Sequence, residues 1–319
     1  MKKILFFIIF LSLIIWIGIL YYVLIKTDLA IAPVNRHSYN LSQGNYTYSP
    51  PIALVSYGAG DQVFLSNQLI LAQSALNKHI NRIYLYGRQD IDEEFYLKNK
   101  LILEQSKGAG YWLWKPYFIL KTMQQLPDDS IILYADSGVV FSSFDIDNFT
   151  DYLKDNDLIM PGNGQAVPLR NHLKKEAQII LQIDKNEQIL NSQEIWAYFL
   201  VIKNNAETRS FIQEWLTLCE DPNLLTDQPL DPNIQEAVMT SHLHDQSLLS
   251  VLAAKYPEKK IILKRYEFRK KLGVDNFHRH PEAKFHSPQF HIAGLHKKIA
   301  DILYNNFIIV KIREQMKNI

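Results

Sequence analysis

The residues with the clearest chemical potential are carboxylates, lysines and histidines set at the ends of predicted elements. Asp136 closes the run Ser130-Ile-Ile-Leu-Tyr-Ala-Asp136 and is followed by Ser137 and Gly138. An apolar strand ending on one carboxylate delivers it to the carboxyl edge of a sheet, where open α/β folds bind ligands. A carboxylate there can hold a divalent ion and so stabilise phosphate charge, although Asp also forms turns and caps. Lys115 stands in Gly108-Ala-Gly-Tyr-Trp-Leu-Trp-Lys-Pro116, where Pro116 suits the first turn of a helix. A helix N-terminus with a lysine beside it suits a pyrophosphate. Lys115 reads equally well as a solvated cap, and Tyr111, Trp112 and Trp114 as core packing. Asp245 lies close to the start of a later helical pattern, where capping alone would justify it. His242 and His244 beside it give only a His-x-His pair, a weak metal signal. Residues 278–296 hold His278, His280, His286, His291 and His296, half of the ten histidines, together with Arg279 and Lys284. That density predicts a metal site or a polar groove that accepts phosphate.

The elements that must position these groups alternate between strand and helix. Residues 52–58 form a short apolar run closed by Gly58, as expected of a buried parallel strand. Residues 63–79 carry apolar side chains at helical spacing, and residues 80–87 give a second strand, which makes a βαβ unit. Further helices are predicted over residues 95–105, 114–126, 170–181 and 207–220. Strands are predicted over residues 130–136, 157–161 and 196–202. Residues 221–232 read as a surface loop rich in Pro, Asp and Asn, and residues 301–319 as a closing helix on the core or a basic amphipathic segment at a membrane surface. Neither Gly58-Ala-Gly60 nor Gly108-Ala-Gly110 completes a dinucleotide fingerprint, since Val63 and Leu113 stand where its third glycine belongs. This order predicts a single α/β domain over residues 51–319.

Residues 4–25 are apolar almost without interruption and long enough to span a bilayer core. Lys2 and Lys3 precede the run, so residues 1–26 are predicted to be a signal anchor with its N-terminus cytoplasmic. Residues 27–50 read as a stem, with glycosylation triplets by pattern at Asn40 and Asn45 and another at Asn148. A formal charge of +1 over 319 residues argues against a nucleic-acid partner, which requires a concentrated basic surface. The single cysteine, Cys219, falls in a helical run and is expected to be a buried apolar residue rather than a nucleophile.

The glycine-flanked aromatic motif, followed by Leu133-Tyr-Ala-Asp-Ser-Gly138, resembles a group of largely bacterial glycosyltransferase-like proteins of the GT-A fold. More weakly, Asp245-Gln-Ser-Leu-Leu-Ser250 and His291-Ile-Ala-Gly-Leu-His-Lys297 resemble the Asp-Gln-x-x-Leu-Asn and His-x-x-Gly-x-x-Lys elements of family 8 transferases. The chain departs from GT-A enzymes in lacking a complete Asp-x-Asp motif, since Tyr134 and Gly138 flank Asp136 at two residues' distance. The resemblance implies a nucleotide-diphospho-sugar donor, a glycan, lipid or protein acceptor, and a divalent cation, Mn²⁺ or Mg²⁺, on Asp136 and His291. It further implies a donor site including Lys115, Tyr111, Trp114, Gln193 and Lys297, with Asp245 and Glu194 as catalytic candidates. A membrane-anchored carbohydrate-binding module and a metal-dependent hydrolase are the rival expectations.

Overall fold

The computed structural model describes residues 12, 15, 16, 39, 40 and 50–276, apart from 60, 61, 77, 142, 143, 164–166, 259, 265, 266 and 268–271. Most of the predicted anchor and of the stem therefore lies outside the described residues, as do His291, Lys297 and the rest of residues 277–319. Among the described residues no helix is long and apolar enough to cross a membrane.

The strands are β1 (Tyr39–Asn40), β2 (Ile52–Tyr57), β3 (Arg82–Tyr86), β4 (Ile131–Ala135), β5 (Val139–Phe141), β6 (Leu158–Gly162), β7 (Phe199–Lys203), β8 (Lys260–Lys264) and β9 (Val274–Asn276). A seven-stranded mixed sheet runs β1-β3-β2-β4-β7-β6-β8, and β5 pairs with β9 in a small second sheet. Strands β3, β2 and β4 are parallel, and β6 is parallel to β8. Strand β7 runs antiparallel to both β4 and β6. Strand β1, part of the predicted stem, adds antiparallel to β3 at the edge.

Every residue of β2 is buried, which is why the sequence there is continuously apolar rather than alternating. Its side chains still alternate in direction. Ala53, Val55 and Tyr57 enter one core, while Ile52 and Leu54 enter the other. Strands β4 and β7 divide their residues in the same way, Ile132, Tyr134, Leu200 and Ile202 facing one side and Leu133, Ala135, Phe199 and Val201 the other. Helices α1 (Gln62–Ala75) and α3 (Asp147–Leu153) supply the second core, with Leu71, Ala75, Phe149 and Leu153. Helices α2 (Trp114–Gln125), α4 (Ala206–Cys219) and α6 (Asp245–Lys255), with the short α5 (Pro222–Leu225), supply the first.

Several predicted bounds shift for local reasons. The helix expected over residues 95–105 is two, Glu93–Lys98 and Lys100–Leu103, because Asn99 leaves helical geometry at φ −109° and ψ 17°. Its amide donates to Phe95 O and to Glu220 Oε1, an alternative to continuing the helix. The helix expected over residues 170–181 is a 3-10 turn, Leu169–His172, and a helix, Lys175–Ile180, separated by extended backbone at Leu173 and Lys174. The loop over residues 221–232 contains α5, whose Leu224 and Leu225 are buried. Cys219 is fully buried.

Candidate active site

The chain passes from β2 to β3 on one side and then returns to β4 on the other side of β2. Between the carboxyl ends of β2 and β4 the winding direction therefore changes, the place where open α/β sheets leave a crevice. Asp136 stands there, directly after β4, with its N–H donating to Tyr198 O at 2.8 Å and its carbonyl accepting from Val139 N at 2.9 Å. Lys115, in the first turn of α2, reaches the same point. Its Nζ lies 2.7 Å from Asp245 Oδ2 and 3.5 Å from Asp136 Oδ1. Tyr134 OH donates to Asp136 Oδ1 at 2.6 Å.

All three charged groups are buried, Lys115 being 2% exposed, Asp136 6% and Asp245 4%. Burial holds the Asp245 carboxyl above the ordinary aspartate range, and the Lys115 ammonium opposes that shift. The expected N-cap role of Asp245 does not hold. His244 is the cap residue, and Asp245 is the first residue of α6 with its side chain turned to Lys115. The solvated-cap reading of Lys115 is excluded in the same way.

The backbone around this ion cluster is strained on two sides. Gly108, Ala109, Gly110, Tyr111 and Trp112 all have positive φ, 57°, 50°, 102°, 52° and 60°, and so form a left-handed turn immediately before α2. The turn closes through Tyr111 N to Lys107 O at 2.7 Å and Trp112 N to Gly108 O at 3.2 Å. Each L-residue in such a turn costs about 1–2 kcal/mol. His244, which precedes Asp245, has φ 54° and ψ −122°. The two segments brace each other, because Trp112 stacks on His244 with ring centroids 5.4 Å apart and Tyr111 meets the same ring edge-on at 5.0 Å. Tyr111 OH also donates to Asp227 Oδ2 at 2.9 Å, where Lys107 adds an ion pair at 2.8 Å. Trp114 donates its Nε1 proton to Gly108 O at 2.9 Å and stacks on Tyr57 at 4.1 Å. The aromatic cluster thus fixes the two backbones that carry Lys115 and Asp245.

No protein family matches the chain, and no curated protein does. Among solved structures it is similar to mouse xyloside xylosyltransferase 1 in its apo form, with a TM-score of 0.39 and 7% identity over 70% of this chain and 96% of that one. It is similar to the galactosyltransferase LgtC in complex with donor and acceptor sugar analogs, with a TM-score of 0.38 and 14% identity over 73% of this chain and 89% of that one. The third is the glycosyltransferase GlyE of Streptococcus pneumoniae TIGR4 in its apo form, at 0.38 and 15% over 84% of this chain and 63% of that one. At that distance the chemistry has to be read from this chain's own residues.

A second buried carboxylate is tied to α6. Glu194 is 3% exposed, with Oε2 3.0 Å from His172 Nδ1 and Oε1 accepting from Gln246 Nε2. Gln246 follows Asp245 in α6, and its Oε1 accepts from Ala197 N at 3.3 Å. Gln193 packs against Gly162, where an added Cβ would come within 2.7 Å of its Oε1. The structure therefore brings Lys115, Asp136 and Asp245 together, ties Glu194 to Gln246, the residue after Asp245, and holds Tyr111 and Trp114 in the supporting aromatic cluster. The sequence assigned no role to Tyr134, Gln246, His172 or Asp227, the first two of which stand in or beside its motifs. The signal for Tyr134 was present: in a strand, residues two apart share a face, so Tyr134 had to lie beside Asp136.

The expected divalent ion does not fit the described residues. Among them no group of three or more His, Cys, Asp or Glu side chains is placed to hold a metal ion, and His291 lies outside them. The space between Asp136 and Asp245 is taken by the Lys115 ammonium. A divalent ion roughly 3.5 Å from that charge would meet repulsion on the order of 9 kcal/mol at an effective dielectric constant of about 20.

Facing the aromatic cluster, the carbonyls at the end of α5 are capped by three buried donors. His242 Nε2 donates to Leu224 O at 2.7 Å, His244 Nδ1 to Leu225 O at 2.8 Å, and Lys174 Nζ to Thr226 O at 2.7 Å. Burial lowers Lys174 to about 8 and, with the neighbouring His244 and Lys174 charges, lowers His242 to about 3. The unfolded chain takes up a proton on His242 as pH drops below about 6.5, whereas the folded chain does not until about 3. Stability is therefore expected to fall through that window, by about 2 kcal/mol at pH 5 from His242 alone. Urea unfolding at pH 7.5 and pH 5 measures it, and the pH slope should flatten in His242→Gln.

Proposed function

We propose that this chain is a glycosyltransferase that moves a hexosyl group from a nucleotide-diphosphate sugar to a glycan, lipid or protein acceptor. In this reading, residues 51–319 form a GT-A-like domain, tethered to a membrane by residues 1–26 through the stem, with the N-terminus cytoplasmic. The observation that carries the proposal is the convergence of Lys115, Asp136 and Asp245. They come from two stretches that resemble transferases, residues 108–138 and residues 245–250, and meet at the carboxyl edge of the sheet where its winding reverses.

The chemistry suits the reaction. Departure of a nucleoside diphosphate leaves positive charge at the anomeric carbon, which a fixed carboxylate stabilises. Asp245 is raised by burial, which brings a carboxylate towards the range useful for proton transfer from an acceptor hydroxyl. Glu194, held between His172 and Gln246, serves the acceptor side, and Lys297 the diphosphate.

The test is calorimetric binding of UDP, GDP, CDP and ADP to the full chain in detergent, followed by turnover of the matching sugar nucleotides. Binding of one nucleotide, weakened at least about tenfold (about 1.4 kcal/mol) in Asp136→Asn, is the expected result. Failure of all four to bind would remove the proposal.

A further inference from the structure

The sequence resemblance implies a metal, while the geometry at Asp136 and Asp245 provides a cation of its own. Lys115 Nζ lies within 2.7 Å of one carboxylate and 3.5 Å of the other. Its place is set by covalent structure, in the first turn of a buried helix behind a left-handed turn that the aromatic cluster holds. The ammonium cannot withdraw without leaving two buried carboxylates face to face. The position two before Asp136, which carries the other carboxylate of an Asp-x-Asp pair in GT-A enzymes, is Tyr134, and its hydroxyl donates to Asp136 Oδ1 at 2.6 Å. One oxygen of Asp136 thus already has a hydroxyl donor at 2.6 Å and an ammonium at 3.5 Å. An ammonium fixed against those same oxygens repels a divalent cation that would share them.

We propose that Lys115 is the resident cation of this site, and that the chain binds a nucleoside diphosphate without a divalent metal between Asp136 and Asp245. The proposal rests on the nucleotide-sugar reading given above. Lys115 acts here as a positioning residue: it holds Asp245 and Asp136 in register and cancels part of their charge, so an anionic diphosphate can approach the carboxyl edge. Substituting a neutral side chain of similar length removes that charge and leaves two carboxylates with the oxygen chemistry that Mn²⁺ takes.

Two measurements on the full chain in detergent test it. The first is the affinity for the nucleoside diphosphates UDP, GDP, CDP and ADP, measured in EDTA and again in Mn²⁺. Affinities that agree within about twofold support the proposal, whereas binding that appears only with Mn²⁺ overturns it. The second is a Mn²⁺ titration followed by electron paramagnetic resonance, without nucleotide. The wild-type chain is expected to leave the free-ion signal unchanged and Lys115→Met to reduce it. A wild-type chain that takes up Mn²⁺, with the uptake lost in Asp136→Asn, overturns the proposal. Should Lys115→Met fail to fold, the two wild-type measurements decide the matter. Should no nucleotide bind in either buffer, the transferase reading fails, and the Mn²⁺ titration still decides whether Lys115 excludes the metal.

Discussion

Replacing Lys115 with Met is expected to destabilise the protein by about 3–5 kcal/mol, the usual consequence of removing one partner from a buried ion pair. For a domain of this size that corresponds to a fall in Tm on the order of 10 °C. The Lys115 side chain is 2% exposed, and the carboxylate side chains of Asp136 and Asp245 are 8% and 5% exposed, so water cannot replace the lost charge. The defect has a pH signature. Without the ammonium, Asp245 loses the interaction that opposes its burial, and its folded pKa moves further above the unfolded value. The folded variant then binds more protons than the unfolded chain between those two values, so its stability rises as pH falls through the interval. The gap between wild type and variant should therefore narrow from pH 8 to pH 5, even as the histidines beneath α5 weaken both proteins. Lys115→Met combined with Asp245→Leu should recover most of the loss, since replacing a whole buried pair with apolar groups is close to neutral. Chemical denaturation of the four proteins of this cycle measures the coupling. A double variant no more stable than Lys115→Met would show that the loss comes from packing rather than charge.

Gly110→Ala is expected to cost about 3 kcal/mol or more, from a backbone penalty of about 1–2 kcal/mol and an overpacking term of similar size. Gly110 has φ 102°, and a Cβ there would lie 2.8 Å from Leu103 Cα, a backbone atom that cannot move aside cheaply. The neighbouring position should respond with the opposite sign. Ala109 has φ 50°, so Ala109→Gly relieves a left-handed alanine and should stabilise by up to about 1 kcal/mol after the extra chain entropy of glycine is counted. Opposite signs at two adjacent residues are the signature of a left-handed turn. A Gly110→Ala protein as stable as the wild type would show that the turn is right-handed in solution. Because the turn delivers Lys115, the Gly110→Ala protein should also lose nucleotide affinity.

The sequence by itself determined the alternation of strands and helices and the strand end at Asp136. It also determined the helix beginning at Trp114 with Pro116 in its first turn, and the identity of three groups that meet in the site. Those features are local: an apolar run, a proline without an N–H, and a carboxylate after a strand are readable within a dozen residues. What they do to one another was decided only by the tertiary structure. Lys115 and Asp245 are separated in sequence by β4, β6 and β7, so no local pattern says that the lysine ends on the aspartate rather than in water or on a phosphate. The same holds for Tyr134. Its place beside Asp136 follows from strand alternation, but its hydroxyl counts as a partner only once both faces of β4 are covered. The left-handed turn was equally hidden, since Ala109, Tyr111 and Trp112 disfavour positive φ, and the groups that hold Tyr111 and Trp112 in it, His244 and Asp227, are remote in sequence. Long-range contacts of this kind set the Lys115 ammonium between Asp136 and Asp245, a placement that no local pattern carries.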